Sequence, residues 1–202
     1  MLHYLCTKLL KIAAIMFDLV TSASSIHGAY RMEGAGGIFC ENEAMKWIVS
    51  LTGLPKGAFG VFTSGGTAAN LSAIVTAREY WRSLNAKHEN KKGLIITSIG
   101  AHSSIKAMAK VVDVDVLLVD TEDKLQGEAL QQTINDLSSD QRNRLFAVVG
   151  TGGTTNAGII DDLSGIASIC EKEGLWFHVD AAYGGGALVA DSVRHQFTGI
   201  EK

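Results

Sequence analysis

The sequence predicts an α/β domain in three layers, a mainly parallel sheet covered by helices on both faces. From about Glu41 onward, segments with helical periodicity alternate with short runs rich in Val, Ile and Leu. Those runs are apolar almost without interruption, as expected of strands buried on both sides. A third observation bears on function. Every glycine cluster after residue 60 falls at the end of such a run, and in parallel sheets ligands sit beyond the carboxyl ends of the strands.

Taken in order, the first twenty residues, MLHYLCTKLLKIAAIMFDLV, are apolar but interrupted by Lys8 and Lys11. The uninterrupted stretch 12–17 is too short for a secretion signal and far below the ~20 residues of a spanning helix. An amphipathic helix packed on the rest of the protein is expected. Residues 1–40 form an N-terminal helical segment on this reading, and 41–202 the large domain. Residues 43–52 read as a helix closed by Gly53 and Pro55. GVF at 60–62 reads as a short strand, followed by the turn TSGGT and a helix carrying Leu71, Ile74 and Val75 on one face. Strands are expected at 94–98, 114–120, 145–150 and 175–180. Helices are expected at 102–111, over 125–139 with Leu130, Ile134 and Leu137 in step, and at 162–173 before Gly174.

Composition narrows the functional classes. At 202 residues, 47% hydrophobic and 19% charged, the chain is globular and not disordered. Net charge is −3, and the densest basic patch, KHENKK at 87–92, lies between two periodic segments as a solvated loop. Neither a nucleic-acid surface nor a membrane span is expected. Cys6, Cys40 and Cys170 are odd in number and show no C-x-x-C spacing, so neither a disulfide frame nor a zinc site is indicated. A reducing, cytoplasmic setting fits.

Four segments carry chemistry. In TSGGTAANLSAI (63–74), Gly65 and Gly66 permit a tight turn and Thr67 opens a helix. The free N–H groups of that first turn make an anion site, although an ordinary turn with a Thr cap reads equally well. No G-K-[ST] follows, so it is not a Walker loop. GTGGTTNAGIIDDL (150–163) lacks the third glycine of a dinucleotide fingerprint and reads as a polar lip, with Asp161 or Asp162 capping the next helix. AHSSIKAM (101–108) sets His102 between a strand end and a helix start. In FHVDAAYGGGAL (177–188), alternation puts His178 and Asp180 on one side of the strand. An aspartate at a buried strand tip needs a cation or several donors. Mg²⁺ would serve, but no second carboxylate lies nearby in sequence; a protonated ring nitrogen would serve too, with Ala181 and Ala182 leaving a flat surface for the ring.

Taken together and in this order, SGGTAAN, AHSSIKAMAK, GTTNAGIIDDL and HVDAAYGGGAL resemble the pyridoxal-phosphate-dependent group II amino-acid decarboxylases over about residues 17–202. The resemblance implies the large domain of a fold-type I transferase, a homodimer, and an amino-acid substrate that loses carbon dioxide. It implies that Gly66, Thr67 and Ala68 bind the cofactor phosphate. His102 would stack on one face of the pyridine ring with Ala182 against the other, and Thr155 would lie close by. Asp180 would pair with the pyridine nitrogen, so that His102 and Asp180 are the catalytic residues. His178 would either orient Asp180 or simply pack, and Cys40 is a candidate for the substrate side.

One departure stands out. The family tethers its cofactor as a Schiff base to a lysine in a D-x-H-K-W-type segment after the aspartate, whereas the only lysine after Asp180 is Lys202, preceded by GIE. The sequence therefore reads as a fragment, truncated before the small C-terminal domain and expected to be inactive alone. The cause would be a truncated product, a split gene or an incomplete chain. Two rivals remain: a fold-type I enzyme of the cysteine-desulfurase kind, and a non-catalytic partner that pairs with an intact subunit.

Overall fold

The computed structural model describes residues 12–84 and 86–202, so Cys6, Lys8 and Lys11 lie outside the described residues. The chain divides into two compact units, Met1–Trp47 and Ile48–Lys202. In the first, α1 (Ile12–Ala23) is helical, yet none of its residues is buried. Phe17 and Leu19 are 73% and 70% exposed. After a turn in which the His27 and Tyr30 rings stack, α2 (Arg31–Thr52) bends at Gly34, whose backbone leaves helical geometry.

The second unit holds a four-stranded sheet of order β2-β1-β3-β4, with β1 (Gly93–Ser98), β2 (Val114–Val119), β3 (Leu145–Thr151) and β4 (Trp176–Asp180). All three pairings are parallel, as the unbroken apolar runs predict. On one face lie α3 (Gly66–Leu84) and α4 (Ser103–Val111). Ile74, Ala77 and Trp81 from α3 and Ile105 and Met108 from α4 pack there on Ile95, Ala147 and Val149. On the other face lie α5 (Gly127–Asn135) and α7 (Leu163–Glu173). Their Leu130, Ile134, Ile166 and Cys170 cover Leu94, Ile96 and Val148. Each fully buried aliphatic side chain contributes roughly 1.5–3 kcal/mol. A bulge between Leu94 and Ile95 in the β1–β3 ladder lets β3 carry one extra residue, Phe146, which stacks on Trp81.

Local signals set the ends. Asp162 caps α7 by accepting from the Gly165 N–H at 3.0 Å, and Gly174 ends it with φ +66°. The helix expected over 125–139 stops at Asn135, short of Leu137, and Ser138 starts a second helix, α6 (Ser139–Arg144), with a reciprocal capping box to Gln141. GVF at 60–62 is not a strand. No ladder of the sheet includes it, and extended backbone without a ladder partner gains no inter-strand hydrogen bonds.

Candidate functional site

The parallel sheet brings the ends of β1, β3 and β4 to one edge, and α3 and α4 start at that edge. There a cavity of about 240 Å³ is lined by Gly66, Thr67, Asn70, His102, Ser104, Thr151, Gly153, Thr154, Thr155, Asp180, Ala182 and Tyr183. Of the residues named from sequence, Gly66, Thr67, His102, Thr155, Asp180 and Ala182 meet here. Ala68 does not line the cavity; its N–H donates to the Gly65 carbonyl at 3.0 Å within the turn. Cys40 is exposed on α2, in the first unit.

The glycine clusters do two jobs. At the start of α3, a side chain on Gly66 would bring its Cβ to 3.0 Å from the Ala182 Cβ, so the helix N-terminus sits against the small residues that follow β4. In the lips, a side chain on Gly184 would run into the Gly152 carbonyl. There Gly184 is required for backbone to pack on backbone.

The polar side chains form one connected chain. Asp180 ends β4, where Thr151↔Asp180 and Val149↔His178 registers set both side chains on the α3 face. The Asn70 Nδ2 donates to Asp180 Oδ2 at 2.9 Å and to Ser104 Oγ at 3.2 Å. His178 Nε2 lies 2.8 Å from Asn70 Oδ1. Ser104 Oγ lies 2.9 Å from His102 Nδ1, and the Ser104 N–H donates to the same nitrogen at 3.2 Å, capping α4. The other oxygen of Asp180 accepts the Ala182 N–H at 3.2 Å. Burial pushes the His178 pKa below its usual value, against the pull of the Asp180 charge. His178 thus reaches Asp180 through Asn70. Sequence reading missed Asn70 and Ser104; the signal for Asn70 was a lone amide in the stripe 70, 74, 77, 81 whose other members are the buried Ile74, Ala77 and Trp81.

The tandem aspartates separate. Asp162 caps α7, while Asp161 is buried and accepts the N–H groups of Leu125 at 2.8 Å and Thr151 at 2.7 Å. Burial raises the Asp161 pKa, and those donors oppose the rise. Among the described residues no group of three or more His, Cys, Asp and Glu side chains is placed to hold a metal ion.

The edge therefore offers a helix N-terminus with a hydroxyl, a small-residue floor, a histidine and a braced carboxylate. Residues 1–202 match the pyridoxal-dependent decarboxylase conserved domain. The chain belongs to that family. It is 29% identical over 193 residues to an aromatic-L-amino-acid decarboxylase of Bacillus atrophaeus, covering 93% of this chain and 39% of the relative. It is 32% identical over 190 residues to an L-2,4-diaminobutyrate decarboxylase of Acinetobacter baumannii, covering 84% and 37%. The crystal structure of mouse CSAD superposes with a TM-score of 0.84 at 29% identity, over 95% of this chain and 42% of that one. The chain spans about two fifths of the length of these relatives, and its fold is the expected large-domain architecture.

The family's cofactor is pyridoxal phosphate, and the cavity fits it. Gly66 and Thr67 stand in the first turn of α3, where N–H groups have no carbonyl one turn back and favour an anion. Among the described residues, Asp180 Oδ1 accepts one backbone N–H, leaving lone pairs for a protonated nitrogen. The Thr151 hydroxyl, beside the Asp161 carboxylate, is buried without a hydrogen-bond partner of regular geometry.

Proposed function

We propose that this chain supplies the cofactor-binding wall of a carboxy-lyase that removes carbon dioxide from an L-amino acid. The observation that carries the reading is the convergence of Asp180, His102 and the start of α3 on one cavity. When bound, pyridoxal phosphate supplies a sink for the electron pair left on the substrate's α-carbon. Asp180 holds a proton on the pyridine nitrogen, because a fixed carboxylate favours the charged form of its partner. Gly66 and Thr67 bind the phosphate, His102 and Ala182 orient the ring between them, and Thr155 closes the side of the cavity. The lysine that tethers the cofactor in a D-x-H-K-W-type segment is not among these 202 residues.

The working assembly we propose is a homodimer in the cytoplasm. Exposed Phe59, Val61 and Ile99 support association, since burying apolar surface between subunits is favourable. Cys40 and Cys170 as free thiols suit a reducing compartment.

Pyridoxal phosphate titrated into the 202-residue chain tests the reading. Binding is expected, reversible and without a site-specific adduct after borohydride reduction, and Asp180→Ala should weaken it about a hundredfold. A stoichiometric adduct at Lys202, or equal affinity in D180A, would contradict the assignment. Joined past Lys202 to the remaining segment of a relative, the chain should release carbon dioxide from an L-amino acid.

A further inference from the structure

We infer that Asn70 is a positioning residue: one buried amide fixes the orientation of Asp180, sets the proton-bearing nitrogen of His178, and reaches His102 through Ser104. The inference rests on the reading of Asp180 as the partner of a pyridine nitrogen.

Asn70 is 3% exposed, and all of its polar atoms are engaged within the protein. Its two amide orientations are not equivalent. Turned over, the amide oxygen would face Asp180 Oδ2 and Ser104 Oγ, acceptor against carboxylate. The carboxylate therefore selects the orientation with Nδ2 toward Asp180 and Oδ1 toward His178. A ring nitrogen 2.8 Å from an amide oxygen must be a donor, so His178 carries its proton on Nε2. Burial, which disfavours the charged ring, leaves Nδ1 bare.

The same amide acts on His102 through Ser104. Ser104 Oγ accepts one Asn70 N–H, which turns the serine's own hydrogen toward His102 Nδ1 at 2.9 Å. That nitrogen also accepts the Ser104 N–H. Nδ1 is an acceptor twice over, so the neutral ring of His102 carries its proton on Nε2. Asn70 thus links the carboxylate that would hold the ring nitrogen to the histidine that would cover the ring. Substitution by Asp would set carboxylate against carboxylate, and Leu would strip His178 Nε2–H and Asp180 Oδ2 of their partner.

Imidazole nitrogen NMR on the histidine-labelled 202-residue chain tests this without cofactor. His178 and His102, assigned by single substitution, should each show the Nε2–H signature. A proton on Nδ1 of His178 in the wild type would overturn the inference, whatever any variant does. In a folded Asn70→Leu or Asn70→Ser chain, the His178 signature should give way to mixed tautomers while His102, still held by the Ser104 N–H, and His88, stacked on Trp81, keep theirs; an unchanged His178 signature would overturn it as well. In the second arm, N70S should weaken pyridoxal phosphate binding about tenfold in the wild-type background and have little effect in D180A. An equal loss in both backgrounds would reduce Asn70 to a packing residue. Nε2–H signatures in a wild type that binds no pyridoxal phosphate would uphold the amide's role and sink the cofactor reading instead.

Discussion

Asp161 and Asp180 are two carboxylates on the same sheet edge, and the chain treats them in opposite ways. Asp161 is buried and accepts the backbone N–H groups of Leu125 and Thr151, with the Thr151 hydroxyl beside it. It ties the lip after β3 to the loop before α5 and to the end of β3 itself. Asp180 is only partly buried, with one oxygen on the Asn70 side chain and the other on a single backbone N–H. The first carboxylate is closed by the fold, and the second is braced but open. Burial alone would have picked the wrong one as the functional acid. What separates them is unused acceptor capacity facing a cavity.

Exchanging each acid for its amide gives the largest expected effect and the most direct test of that contrast. Asn at 161 keeps one acceptor and turns an NH₂ group onto a backbone N–H, so Asp161→Asn should cost about 2–3 kcal/mol in urea unfolding. Asp180→Asn retains an oxygen for Asn70 or Ala182 and should cost under about 1 kcal/mol while still weakening pyridoxal phosphate binding. If D180N proves the more destabilising of the two, the division into a fold clamp and a ligand group fails.

Acidity should sharpen it further, because the buried histidine and the buried aspartate pull in opposite directions. The folded pKa of His178 is depressed, so the unfolded chain binds more protons as pH falls through about 6.5, and stability drops. The folded pKa of Asp161 is raised, so its contribution is greatest in acid and decays as pH rises above about 3.9. Between about pH 7.5 and pH 5.5 the histidine should dominate, so stability should fall with pH across that window. Gln at 178 can keep a donor for Asn70 without titrating, so H178Q should flatten that slope. A slope unchanged in H178Q would place the titrating group elsewhere.

Much of this was legible in the sequence because it depends on period and order. Apolar runs without alternation gave parallel strands, and the order of strands and helices put His102 and Asp180 at one edge. Asn70 was not legible. Its partners lie 34, 108 and 110 residues away, and only the packing of α3 across β4 brings them together. The DD pair failed for a related reason: both aspartates suit a cap, and only the closing of the lip on Leu125 decides that Asp162 caps while Asp161 is buried. Residues 60–62 have strand character, but a strand is a property of a pair.

The smallest effect is expected at the opposite end of the sheet, where charge is exposed and no ligand is involved. Asp115 on β2 meets Lys92 at 2.9 Å and Arg144 at 2.7 Å, and Arg144 also holds Asp140. Hydrogen bonds from Lys92, then from Arg144, hold the Asp115 carboxyl below its usual pKa. Its contribution is therefore present above the unfolded value of about 3.9 and lost as pH falls through the lower folded value. The Asp115 side chain is 41% exposed, and water screens such pairs strongly. Asp115→Asn should shift the unfolding midpoint only slightly at neutral pH and low salt. The shift should vanish at about 1 M salt, where the screening length is about 3 Å, whereas the D161N loss, set by buried hydrogen bonds, should persist. A D161N loss that vanished with salt would mean that Asp161 acts through surface charge, and the contrast with Asp180 would then rest on geometry alone.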